Sequence, residues 1–186
     1  MSGRKSPQGS STDRPSTGDA FIQDPDMLRL FDYWRSLRAG RALPAKSDID
    51  PLEISWALSR IYLVDHSPED GFVYCLAGND IAGIFGRANL KGLRPRDFLP
   101  KERAEPVERL FQQVVDERCI MWMKGLIYFR ADRTPIGERL VLPLGDAASE
   151  TVTGVLGMTV IHSVAVGTIQ PEDYASERFF PIDNLP

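Results

Sequence analysis

Between Arg103 and His162 the apolar residues first recur with a helical period and then with strand-like runs. Val107, Leu110, Phe111, Val114 and Val115 fall at i, i+3, i+4, i+7 and i+8, with Glu105, Glu108, Gln112 and Asp116 opposite them. That spacing predicts an amphipathic helix with one buried face. Pro106 suits its first turn, where a missing N–H has no intrahelical partner. From Cys119 to Arg130 too few polar residues remain for a surface helix, which predicts a strand, closed by the loop Arg130 to Pro135. Ile136 to Leu144 alternates Glu138 and Leu140 with Arg139 and Val141, and Gly145 to Ser149 makes the next connection. Thr151 to His162 reads as a long third strand whose Gly154 and Gly157 admit a bulge or a close neighbour. Short connections between successive strands favour antiparallel pairing. The fold class is therefore α+β.

Upstream, Asp24 and Pro25 supply an N-cap and a first-turn proline, and Met27, Leu30, Phe31, Trp34 and Leu37 form a stripe that ends before Gly40. A helix of this length is marginal alone in water, so its own sheet or another chain must cover the stripe. Asp50, Pro51 and Glu53 repeat the start signal as a capping box, predicting a short helix to Ser59. Ile61 to Asp65 and Phe72 to Ala77 read as strands around the turn-rich His66 to Gly71. Asn79 or Asp80 then caps a short helix through Phe85, ended by Gly86.

At 186 residues and 42% apolar content, one core can bury roughly two-thirds of the unfolded surface. Residues 1–20 are rich in Ser, Gly, Pro and Arg and predict a disordered tail. Residues 21–162 form the expected domain, and 163–186 an acidic C-terminal tail whose Phe179 and Phe180 can dock on the body. The net charge of −4 argues against non-specific nucleic-acid binding. No membrane-spanning run and no signal-peptide segment is legible, which points to a cytoplasmic protein. Cys75 and Cys119 are far apart and read as buried thiols.

The order helix, helix, strand, strand, short helices, long helix and three strands resembles a PAS domain. The segments Gly78 to Arg87 and Leu90 to Pro100 are similar to the stretch that joins strand two to the long helix in that family. Leu30 to Arg38, Ile49 to Ile54 and Tyr74 to Gly78 resemble the stand-alone PAS proteins common in alphaproteobacteria. The resemblance implies a five-stranded antiparallel sheet with helices packed on one face, preceded here by an N-terminal amphipathic helix. It implies a sensory or regulatory module that dimerises and engages a signalling protein, or a sensor holding a small molecule between sheet and helices. Implied wall residues are Tyr74, Leu76, Phe85, Phe98, Phe111, Val114, Trp122, Tyr128 and Met158. The Met27, Leu30, Phe31, Trp34 and Leu37 stripe is the expected dimer interface.

The same resemblance argues against a covalently bound flavin and against haem, and leaves a non-covalent flavin open. Flavin-binding light sensors of the superfamily carry a cysteine just after a Gly-Arg-Asn-like sequence, and Gly86 to Leu90 has none. Haem-binding relatives use a histidine on the long helix, and Arg103 to Arg118 has none. His66 and His162 have no paired spacing for a metal. With no phosphate loop and no nucleophile elbow, the chain is read as non-catalytic. Arg87, Lys91, Arg94, Arg96, Lys101 and Arg103 form a basic cluster, read either as a solvated loop surface or as an anion site.

Overall fold

The computed structural model describes residues 21–127, 134–146, 151–165 and 176–184. Its elements run α1 (Pro25–Leu37), β1 (Ile61–Ser67), β2 (Gly71–Ala77), α2 (Asn79–Ile84), α3 (Pro95–Phe98), α4 (Lys101–Asp116), β3 (Cys119–Leu126), β4 (Thr134–Gly145), β5 (Val152–Ala165) and β6 (Ser176–Pro181). The strands make one antiparallel sheet of six, ordered β2-β1-β5-β4-β3-β6. Central β5 lies against β1 closely enough that a Cβ at Gly157 would fall 2.0 Å from the Tyr62 ring. Glycine is what lets that aromatic side chain cross the sheet face.

The sixth strand comes from the expected C-terminal tail. β6 pairs along β3, with Ile120 opposite Phe180 and Met121 opposite Phe179. Phe180 stacks on Phe21 at 4.8 Å between ring centroids, while Phe179 packs on the other side of the sheet. The sheet therefore continues past the boundary expected at His162. The tail expected over residues 1–20 lies outside the described residues.

Helices α2, α3 and α4 cover one face of the sheet, and the N-terminal helix α1 covers the other. On one face α1 packs over Ile120, Trp122, Leu140, Leu142, Leu156 and Met158. On the other, α2, α3 and α4 pack over Tyr62, Tyr74, Met121, Met123, Val141 and Val155. Asp24 caps α1 by accepting from the backbone N–H of Asp26 at 2.9 Å and Met27 at 3.1 Å. Met27, Leu30, Phe31 and Trp34 are no more than 1% exposed, each worth roughly 1.5–3 kcal/mol of burial. Trp34 also donates its indole N–H to the Pro143 carbonyl at 2.8 Å. This corrects the expected dimer interface: the chain's own sheet covers Met27, Leu30, Phe31 and Trp34, and Leu37 is half-buried at the helix end.

Three local expectations also change. The segment after Asp50 forms turns and a 3-10 turn at Ser55–Ala57. Its capping box cannot close as expected, because the Asp50 N–H is taken by the Tyr33 hydroxyl at 2.8 Å. Gly78, not Asn79 or Asp80, occupies the N-cap of α2. A Cβ there would lie 2.1 Å from the Leu58 carbonyl, and the Asp80 carboxylate instead accepts from Ser59 Oγ at 2.7 Å. Finally, α4 begins at Lys101, which places Pro106 inside the helix. There it supplies no N–H to the carbonyl of Glu102.

Candidate functional site

A cleft of about 630 Å³ opens between the helices and the β3, β4 and β6 end of the sheet. Ile84 and Phe85, Phe98 to Pro100, and the α4 residues Pro106, Val107 and Leu110 form its helical wall. Met123, Leu126, Ile127 and Arg139 form the sheet wall, and β6 adds Glu177. The residues reach it for simple reasons. Val107 and Leu110 lie on the apolar stripe of α4, and Met123 shares the sheet parity of Met121. Arg139 has the parity of Val141, so it too faces α4.

Charge is unevenly distributed in depth. Arg139 is 5% exposed, whereas Glu102, Arg103 and Glu177 are exposed at the rim. Toward the sheet centre the space closes to a gap of about 10 Å³ beside Tyr62, Tyr74 and Phe111, no larger than a single water requires. Aromatic rings fill that end: Tyr74 meets Phe98 edge-on at 5.5 Å, Phe85 meets Phe98 at 4.9 Å, and Phe72 lies 5.4 Å from Phe111. Such pairs add about 0.5–1.5 kcal/mol each beyond their buried area.

The expected wall residues divide accordingly. Phe85 and Phe98 line the cleft. Tyr74 and Phe111 line only the small gap, and Val114 is buried in the same layer without reaching either space. Leu76, Trp122 and Met158 pack in the α1-covered core, which corrects their assignment. For Leu76 the reason is a bulge: Leu63 pairs with Leu76 and Val64 with Tyr74, so Cys75 is an extra residue and Tyr74 and Leu76 point to opposite faces. Trp122 and Met158 follow the alternation of β3 and β5 onto the α1 side. Tyr128 lies outside the described residues.

Most of the basic cluster is engaged locally. Arg96 makes two bonds to Glu108, at 3.0 and 2.9 Å. Arg94 pairs with Asp97 at 3.4 Å, Arg87 donates to the Asp97 carbonyl at 3.4 Å, and Lys101 lies 3.6 Å from Glu105. The Arg94 backbone N–H holds the Asp97 carboxyl below the usual carboxylate range, with Arg94 and Arg96 adding to the effect. Lys91 is exposed, and Arg103 alone of the six lines the cleft.

A second polar cluster lies on the opposite face. Glu138, 1% exposed, accepts from Trp122 Nε1 at 3.1 Å and from the backbone N–H groups of Gln23 at 3.3 Å and Asp24 at 3.4 Å. His162 Nε2 is 3.1 Å from its other oxygen, and Lys124 Nζ lies 3.9 Å away. This carboxylate ties the start of α1 to the sheet. His66 instead stacks on Phe72 at 4.6 Å, and burial pushes its pKa down. Among the described residues no group of three His, Cys, Asp or Glu side chains is placed to hold a metal. No helix among them is long and apolar enough to cross a membrane.

A family model described as a PAS domain matches residues 22–160, most of the sheet together with every helix from α1 to α4. The chain belongs to the PAS domain family. Membership identifies this PAS domain in general terms as a sensory or signalling module. No curated protein and no solved structure matches it. Its sheet carries one strand more than the five expected, and that added strand, β6, borders the cleft.

Proposed function

We propose that this PAS domain is a non-catalytic sensor that binds a small organic molecule in the cleft between α2, α3, α4 and the β3, β4, β6 end of its sheet. One observation carries the reading: a space of about 630 Å³ walled mainly by apolar side chains, with a buried charged residue, Arg139, among them. Small-molecule sites typically combine this size with few fixed polar groups. The alternative of a module working chiefly through dimerisation loses its anchor, because the α1 stripe is spent inside the fold. Occupancy would be relayed to a partner signalling protein by the elements that border the cleft, β6 among them.

A panel of small organic compounds, screened by thermal midpoint on the natural chain and on Leu110→Trp, tests this. The indole in the variant fills the cleft from α4. Compounds that raise the midpoint of the natural chain and leave that of the variant unmoved support the reading. Equal shifts in both proteins contradict it.

A further inference from the structure

We propose that the cleft selects an amphipathic anion, a carboxylic acid with an apolar body, and that Arg139 reads the carboxylate; this rests on the cleft being the ligand site. Arg139 lies in the wall and is 5% exposed. A guanidinium stays charged at any physiological pH and presents five N–H donors in a planar fork. Five donors can serve a protein acceptor and both oxygens of a carboxylate together. Low solvent access strengthens that attraction, whereas the rim charges of Glu102, Arg103 and Glu177 are exposed and screened. Among the charged residues that line the cleft, Arg139 is thus the most buried.

The rest of the wall sets the ligand's other half. Val107, Leu110 and Leu126 offer apolar surface to a body of matching character. Inorganic phosphate would satisfy the cation and leave that surface uncovered. A plain hydrocarbon would cover the surface and offer the guanidinium no oxygen.

The test is calorimetric titration of the full chain with decanoate and with phenylbutyrate, each against the alcohol of the same skeleton. The acids are expected to bind about tenfold to a hundredfold more tightly than the alcohols, the range of a charge-assisted hydrogen bond. Arg139→Met should abolish that gap. Arg139→Lys, which keeps the charge without the fork, should retain part of it. The acid and alcohol comparison in the unmodified chain stands even where Arg139→Met fails to fold. Equal affinity of acid and alcohol, or a preference that survives Arg139→Met, overturns the assignment while leaving a ligand-binding cleft. Binding of none of the four compounds overturns both.

Discussion

Trp122 donates its indole N–H to the Glu138 carboxylate across 3.1 Å, on the sheet face that α1 covers. The same oxygen accepts the backbone N–H groups of Gln23 and Asp24. One buried carboxylate thus joins β3 and β4 to the entry of the first helix. Trp122→Ala is expected to cost about 3–5 kcal/mol through lost packing. Trp122→Phe, which keeps most of the ring, should cost about 1–3 kcal/mol, the cost of a buried acceptor deprived of one donor. Urea denaturation separates the two, and equal midpoints for natural protein and Trp122→Phe would show that the bond contributes nothing.

Glu138→Gln keeps the shape but turns one acceptor into a donor facing other donors. Amide hydrogen exchange should report faster opening at Gln23 and Asp24 with β1 unaffected, because the change loosens the start of α1 before the sheet. Uniform acceleration across the sheet would mean that Glu138 holds up the whole fold.

Trp34→Ala distinguishes a core helix from an interface helix. The residue is fully buried and bonded to Pro143, so the substitution should cost about 3–5 kcal/mol. Sedimentation of the natural protein and of the folded variant should give the same assembly state. A variant that keeps its stability and changes its assembly would return α1 to the role of an interface anchor.

Phe180→Ala removes the ring that stacks on Phe21. With Phe180 only half-buried, the global cost should be about 1–2 kcal/mol. Exchange protection should fall first in β6, an edge strand held on one side by β3. Retained protection in β6 would place its anchoring in the backbone ladder alone.

Cys119 is fully buried, and burial pushes its thiol up to about 12 from an ordinary 9.0. In that window the unfolded chain has released the proton and the folded chain still holds it, so stability falls as pH rises. The stability difference between natural protein and Cys119→Ala should therefore decline above about pH 9, by at most about 1.4 kcal/mol per pH unit. A constant difference would contradict this. In the folded protein the Cys119 thiol should also resist thiol reagents that reach half-buried Cys75.

The elements were legible because their signals are local. Asp24 and Pro25 cap α1 as their chemistry requires, and the α4 stripe sits on the sheet as its period demands. Which sheet face each strand residue uses was not legible. Strands β3 and β5 are apolar on both sides since helices cover both, so no polar face distinguished Trp122 from Met123. The bulge at Cys75 then reversed the parity between Tyr74 and Leu76, and nothing in the residues themselves marks it. Arg139 did leave a sign, as a charged residue that, with Glu138, directly precedes the apolar run Leu140 to Leu144. The β6 strand left only its aromatic pair, because its pairing with β3 is a long-range contact.

The central claim is that a ligand occupies the α4 side of the sheet, and methyl-resolved NMR during titration with decanoate tests it most directly. The methyl signals of Val107, Leu110, Leu126 and Ile127 should move in a saturable way, while those of Leu30 and Leu142 on the α1 side hold still. Saturable shifts centred on Leu30 and Leu142, or none at the cleft methyls, would contradict the account.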